Sequence, residues 1–69
     1  MYKPNYLFNH VLDLTGIPSD RQLAERLGVN KSRISNIRNN KEPFTAGVLI
    51  ALHELTGIPT LQLKEMAGL

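Results

Sequence analysis

Cysteine is absent from this 69-residue sequence. Its absence excludes disulfides, thiolate metal ligands and thiol catalysis, and it fits a reducing compartment. Long hydrophobic runs are missing as well, because the longest one, Val48–Leu52, is far too short to span a bilayer. The opening residues, MYKPNY, lack the pattern of a signal peptide. We therefore expect a soluble cytoplasmic protein, organised as one domain over residues 1–69.

Patterns that serve catalysis or metal binding are also missing. The two histidines, His10 and His53, are far apart in the sequence, and neither belongs to an H-x-x-x-H ligand pair. There is no glycine-rich phosphate loop and no nucleophile motif, and a chain of this size has little room for a substrate pocket. The sequence therefore predicts no enzyme, no metal and no cofactor. A chain this short buries only about 60% of its unfolded surface, so burial against a partner would stabilise it.

What the sequence does contain is a stretch of 22 residues at positions 19–40, SDRQLAERLGVNKSRISNIRNN, that predicts two short helices joined by a turn. Ser19 is a favourable N-cap and Gln22 completes a capping box, so the first helix is predicted to begin at Asp20. Its apolar face consists of Leu23, Ala24 and Leu27. Gly28 then suits the left-handed backbone position that ends a helix.

The second helix of this stretch is predicted to run from Lys31 to about Asn39, with Asn30 as its N-cap. Ile34 and Ile37 are its only large apolar residues. A helix with so thin a buried stripe leaves a broad polar face toward solvent.

Positive charge is concentrated on that polar face. Four basic side chains and no acid lie in residues 31–41, although the net charge of the whole chain is only +2. Basic side chains neutralise phosphates, and the serine and asparagine side chains between them suit base edges. The alternative for a charge cluster alone is an ordinary solvated helix face. Three features favour a helix-turn-helix that binds DNA: the small Ala24 where the helices cross, the turn at Gly28, and the isoleucine pair of the second helix.

This motif resembles the helix-turn-helix of the lambdoid Cro and repressor proteins, a group also called XRE-like. The matching residues follow L-A-x-x-x-G-V-x-x-x-x-I-S-x-I and are Leu23, Ala24, Gly28, Val29, Ile34, Ser35 and Ile37. The resemblance implies an all-α, five-helix domain of the lambda-repressor type with the motif at its centre. It also implies a small phage or prophage regulator, located with the nucleoid of a bacterial or phage-infected cell.

The same resemblance implies which side chains meet DNA. Base-edge readers are implied at Lys31, Ser32, Ser35 and Asn36. Phosphate contacts are implied at Arg33, Arg38, Asn39, Asn40 and Lys41. Many family members also place a glutamine, which binds a phosphate, at the first position of the first motif helix, but here that position is Asp20, and a carboxylate repels phosphate. Either Arg21 or Gln22 takes over this contact, or the anchor is absent.

Three further helices are predicted around the motif, over Asn5–Thr15, Ala46–Thr56 and Thr60–Ala67, the second of them capped by Thr45. The first two end in the same five residues, Leu-Thr-Gly-Ile-Pro. We interpret this as helix punctuation rather than an internal repeat, because glycine takes the left-handed position, isoleucine folds back and proline stops the helix. Strand-like alternation is absent, so an all-α domain is favoured over the mixed helix and sheet form of some Cro proteins.

These features together predict a sequence-specific regulator that binds double-stranded DNA, most simply a homodimer that represses by occupying an operator through the major groove. The candidate dimer interface consists of Ile50, Leu61, Leu63, Met66 and Leu69. The alternative for the residues of the last helix and tail is that they only close the domain core. Two other functions stay open: an antitoxin-like module that binds a protein and reads DNA secondarily, and an activator that contacts polymerase through Asp20 and Glu25. No membrane or small-molecule partner is expected.

Overall fold

The computed structural model describes residues 2–69, which form five α-helices: α1 (Pro4–Thr15), α2 (Asp20–Leu27), α3 (Lys31–Arg38), α4 (Ala46–Thr56) and α5 (Thr60–Ala67). No strand occurs over this range, so the predicted all-α, five-helix fold is confirmed. α1 begins one residue earlier than predicted, because Pro4 occupies the first helical position, where a missing N–H costs no hydrogen bond. α3 ends one residue earlier than predicted.

Side chains cap two of the helices as the sequence predicts. The Ser19 hydroxyl accepts a hydrogen bond from the backbone N–H of Gln22 at 3.3 Å, which begins α2. The Thr45 hydroxyl accepts one from the N–H of Val48 at 3.2 Å, which begins α4. Asn30 occupies the N-cap position of α3, but its side chain forms no cap hydrogen bond within the described residues. The predicted N-cap position of Asn30 is therefore confirmed, and it is the extended backbone of this residue that starts the helix.

The repeated segment Leu-Thr-Gly-Ile-Pro adopts the same conformation at the ends of α1 and α4. The Thr15 hydroxyl donates to the carbonyl of Val11 at 2.7 Å and accepts from the N–H of Ile17 at 3.3 Å. The Thr56 hydroxyl makes the equivalent bonds at 2.8 and 3.2 Å. Both glycines are left-handed, with φ of 73° and 77°. The interpretation of this segment as helix punctuation is confirmed, and the threonine adds a hydrogen-bonded link between the helix and the folded-back isoleucine.

The hydrophobic core receives side chains from all five helices. Its buried members are Leu7, Phe8, Val11, Ile17, Leu23, Ala24, Leu27, Ile34, Ile37, Phe44, Val48, Leu49, Leu52, Leu63 and Ala67. Phe44, from the segment between α3 and α4, packs on Phe8 with ring centroids 5.1 Å apart and meets Tyr2 edge-on at 6.2 Å. α3 packs against α2 and α1, while α5 packs against α1 and α4. The core therefore holds α3 by one face and leaves the other face outward.

Within residues 2–69, no single helix has the length and apolar character needed to cross a membrane. Only α4 and α5 taken together reach that length and composition, and the chain bends by 113° between them. The larger apolar side chains of this pair include Leu49, Leu52 and Leu63, all of which are buried in the core.

Candidate nucleic-acid interface

The turn between α2 and α3 fixes the crossing of the two motif helices. Gly28 has a left-handed φ of 73°. The backbone N–H of Val29 returns to the carbonyl of Ala24 at 3.0 Å, and that of Gly28 to the carbonyl of Glu25 at 3.3 Å. Ala24 is almost fully buried, and a side chain this small lets the helices approach closely. The predicted glycine turn of the motif is thus confirmed at the level of backbone geometry.

The predicted base readers lie on the outward face of α3. Ile34 and Ile37 are fully buried and hold the helix from beneath. By the 3.6-residue period, Ser32, Ser35 and Asn36 lie on the opposite side. Lys31, Ser32 and Ser35 are exposed, and Asn36 is half-buried. The fold therefore brings the four predicted base readers to one polar surface, and Arg33 lies exposed beside them.

A tight turn follows α3 and carries the predicted loop contacts. Asn40 adopts a left-handed φ of 61°, which asparagine tolerates better than most residues. The carbonyl of Asn36 accepts from the backbone N–H of Lys41 at 2.8 Å, closing the turn. The Asn39 side-chain amide donates to the carbonyl of Ser35 at 2.9 Å. Asn39, Asn40 and Lys41 are all exposed at the C-terminal end of the outward face of α3.

The N-terminal turn of α2 offers two further exposed side chains, Arg21 and Gln22. Arg21 lies 4.0 Å from Glu25, with the two side chains 80% and 69% exposed. An exposed pair at that distance contributes little energy, so Arg21 remains available to a phosphate. These two residues are the candidates for the contact that Asp20 does not supply.

Arg38 has a role that sequence reasoning missed. Its guanidinium Nε lies 2.9 Å from Asp20 Oδ2, and Nη2 donates to Asp20 Oδ1 at 3.0 Å. Nη1 donates to the side-chain oxygens of Asn5 and Asn9, both at 3.0 Å. The guanidinium carbon lies 5.2 Å from the centroid of the Phe8 ring. Arg38, Asp20, Asn5 and Asn9 form what we call the Arg38 cluster, and in this arrangement Arg38 is an internal ion-pair partner instead of the predicted phosphate contact.

The Arg38 cluster also explains the acid at the start of α2. The Asp20 carboxylate is neutralised by Arg38 and is 27% exposed. Its repulsion of a nearby phosphate is therefore largely cancelled. Sequence reasoning missed Asn5 and Asn9, and the available signal was their i, i+4 spacing beside the apolar stripe of α1, which places both on one face of the helix.

The candidate dimer residues separate into three groups in the protomer. Ile50, Leu61 and Leu69 are 50%, 68% and 58% exposed. Met66 is partly buried against the core. Leu63 is fully buried and cannot contact a partner without unfolding α5, so its assignment to the interface is replaced by a core role.

Metal chemistry receives no support from the arrangement of side chains. Over residues 2–69, no three His, Cys, Asp or Glu residues come close enough together to hold an ion. His53 Nδ1 is instead 2.7 Å from the carbonyl of Ile58, where it ties the end of α4 to the following turn. The imidazole of His10 stacks on the Tyr6 ring at 6.4 Å between centroids.

Comparison with known protein families adds a finding independent of this geometry. The sequence model of a family described as the bacteriophage CI repressor helix-turn-helix domain matches residues 8–67 of the chain. The matched range contains α2 to α5 and most of α1, and it confirms the resemblance drawn from the motif. That family is a DNA-binding repressor domain and not an enzyme class. Searches of curated proteins and of solved structures each found no match.

Proposed function

Because this chain belongs to the bacteriophage CI repressor helix-turn-helix family, we propose that it is a sequence-specific transcriptional regulator that inserts α3 into the major groove of an operator. The observation that carries this proposal is the outward face of α3. It is polar and basic, exposed at Lys31, Ser32 and Ser35 and half-buried at Asn36, while two buried isoleucines fix the opposite face. Such a helix can present side chains to base edges without losing its own packing.

Within this proposal the side chains divide into readers and anchors. Lys31, Ser32, Ser35 and Asn36 read base edges, since they occupy the middle of the outward face and carry suitable donors and acceptors. The phosphate anchors are Arg21, Gln22, Arg33, Asn39, Asn40 and Lys41. They surround the readers at the start of α2, along α3 and in the turn after it, where they can fix the register of the domain on the duplex.

We also propose that two copies bind together. Half-sites about 10 bp apart place two recognition helices on one side of the duplex, in successive major grooves. The exposed apolar side chains of Ile50, Leu61 and Leu69, with Met66 at the edge, supply a surface for the second copy. A dimer bound over a promoter would exclude polymerase and repress transcription, in the cytoplasm of a bacterial or phage-infected cell.

Replacing Asn36 by Ala tests the assignment of base readers. The wild type and Asn36→Ala are each titrated with the preferred duplex and with duplexes carrying single base changes. Loss of one good base contact costs about 1 to 3 kcal/mol at one position, so the variant should accept several bases there. Gln62→Ala, which removes an exposed amide from α5, should leave the base preference unchanged. Equal weakening of Asn36→Ala on every duplex would instead make Asn36 a phosphate contact.

A further inference from the structure

We propose that Arg38 is a positioning residue: the Arg38 cluster holds recognition helix α3 at the angle required for base readout, and Arg38 supports sequence specificity without contacting DNA. This inference rests on the proposed function, because it concerns how α3 is presented to the operator. It assigns Asp20, Asn5 and Asn9 to the same task, although none of them is a base reader or a phosphate anchor.

Arg38 directs its guanidinium at partners inside the protein. Its guanidinium reaches Asp20 through Nε at 2.9 Å and Nη2 at 3.0 Å. Nη1 reaches Asn5 and Asn9, each at 3.0 Å. The side chain of Arg38 is only 17% exposed. A phosphate would have to displace Asp20 or the asparagines from Nη1 and Nη2, which are already engaged. Nε is buried beside Asp20 Oδ2 and forms no hydrogen bond within the described residues.

The contacts of Arg38 join the end of α3 to two other helices. Arg38 is the last residue of α3, and its partners belong to the first turn of α2 and to α1. The other end of α3 is fixed by the glycine turn, where Val29 returns to Ala24. α3 has only eight residues, so these two attachments hold both of its ends. Attachments at both ends of a short helix restrain it from swinging or rotating about its buried stripe.

Arginine supplies a geometry at this position that lysine does not. A guanidinium presents a planar fork that matches both oxygens of a carboxylate, and the same plane can lie over an aromatic ring. Here the fork meets both oxygens of Asp20 while the guanidinium carbon lies 5.2 Å from the Phe8 ring centroid. A lysine would keep the charge but would lose the fork, so charge and geometry can be separated by experiment.

The test compares Arg38→Met and Arg38→Lys with the wild type on a preferred duplex and on a mixed-sequence duplex. A displaced α3 loses at least one base contact, so both variants should bind the preferred duplex about tenfold or more weakly. For Arg38→Lys, which keeps a charge beside Asp20, binding to the mixed-sequence duplex should change by less than about twofold with the same salt dependence, because no phosphate contact is lost. Arg38→Met leaves the Asp20 carboxylate uncompensated and should weaken binding to this duplex as well, but less than binding to the preferred duplex. Arg33→Met is the matched control, since Arg33 lies exposed on the same helix. It should weaken both duplexes and make the salt dependence shallower.

A variant that exchanges the charges of residues 20 and 38 distinguishes loss of the ion pair from loss of folding. The double variant Asp20→Arg with Arg38→Asp restores an ion pair between α2 and α3, and the asparagine amides can donate where their oxygens accepted. It should recover part of the lost specificity while Asp20→Arg alone does not. Circular dichroism is measured for each variant to check that it is folded at the temperature of the binding assay.

Three results would overturn the inference. If Arg38→Met weakens both duplexes equally and lowers the salt slope, Arg38 is a phosphate contact. If either Arg38→Lys or Arg38→Met retains wild-type specificity, the Arg38 guanidinium does not position α3. If the wild type itself prefers no sequence, the proposed function fails and the inference fails with it. The first two results leave the proposed function intact.

Discussion

Raising the salt concentration is a direct perturbation of an interface built from basic side chains. Each phosphate that a protein neutralises releases counterions, so log affinity falls linearly with log salt, by about 0.9 for each phosphate on duplex DNA. The slope therefore estimates how many basic side chains contact the phosphates of the DNA backbone.

The expected slope follows from which basic side chains are available. The basic phosphate anchors are Arg21, Arg33 and Lys41, all of them exposed. Within the described range their one ion pair is the weak 4.0 Å contact between Arg21 and Glu25. Arg38 does not count, because Asp20 holds it at 2.9 Å. Three contacts for each protomer give a slope of about −5 for a bound dimer and about −3 for a monomer. With Arg38 included, the dimer slope would be about −7.

Fluorescence anisotropy with a labelled mixed-sequence duplex, titrated over a series of KCl concentrations, measures this slope. Lys41→Met should make the slope shallower by about 0.9 for each protomer. Lys64→Met is the control, because Lys64 is exposed on α5, outside the proposed DNA interface, and carries the same charge. It should leave the slope unchanged.

Two outcomes would refute this reasoning. A slope near zero with retained binding would mean that phosphate contacts do not drive association. Equal effects of Lys41→Met and Lys64→Met would mean that net charge acts at long range and that no defined basic surface exists.

Three further predictions concern stability and assembly. Gly28→Ala should lower the free energy of unfolding measured in urea by about 1 kcal/mol, because alanine is strained at a positive φ. Gly47→Ala, inside α4, should raise the same free energy by about 0.5 to 1 kcal/mol. Leu63→Ala should lower the free energy of unfolding by about 2 to 5 kcal/mol, because it leaves a cavity in the core. Leu61→Ala should keep monomer stability and shift the monomer–dimer equilibrium toward monomer in analytical sedimentation. A Leu61→Ala variant that dimerises like the wild type would place the interface elsewhere. Burial raises the pKa of the Tyr2 hydroxyl above 10.0, and a backbone hydrogen bond with Phe44 partly offsets this rise. The stability that neutral Tyr2 contributes is therefore present below pH 10.0 and should be lost as the pH rises through the raised pKa. Tyr2→Phe should remove this alkaline loss of stability.

Helix boundaries could be predicted from the sequence because the signals that set them are local. Ser19 and Thr45 each cap a helix through the N–H three residues ahead. Gly28 ends α2 through its own left-handed backbone. Such signals act within one turn of chain, so they can be read without knowing the tertiary structure.

The role of Arg38 could not be predicted, because its partners come from distant positions. Asp20 is 18 residues away, and Asn5 is 33 residues away. By local pattern alone, a basic residue at the end of a recognition helix indicates a phosphate contact. Only the packing of α1 against α3 brings the asparagines to Arg38, and that packing depends on the whole core.

The burial of Leu63 shows the same limit of local sequence patterns in α5. Leu61 and Leu63 differ by two positions on one helix, so an eight-residue helix with several apolar residues does not reveal which of them faces the core. In the structure Leu63 is fully buried and Leu61 is 68% exposed. The packing of α5 against α1 and α4 decides between them.

Selection from a randomised duplex library tests the central claim most directly. The full chain is incubated with the library at two salt concentrations, and the bound duplexes are recovered and sequenced. Our account predicts an inverted repeat whose half-sites are about 10 bp apart, with tighter binding at the lower salt concentration. Salt-sensitive binding without any consensus would contradict it and would favour a module whose main partner is another protein.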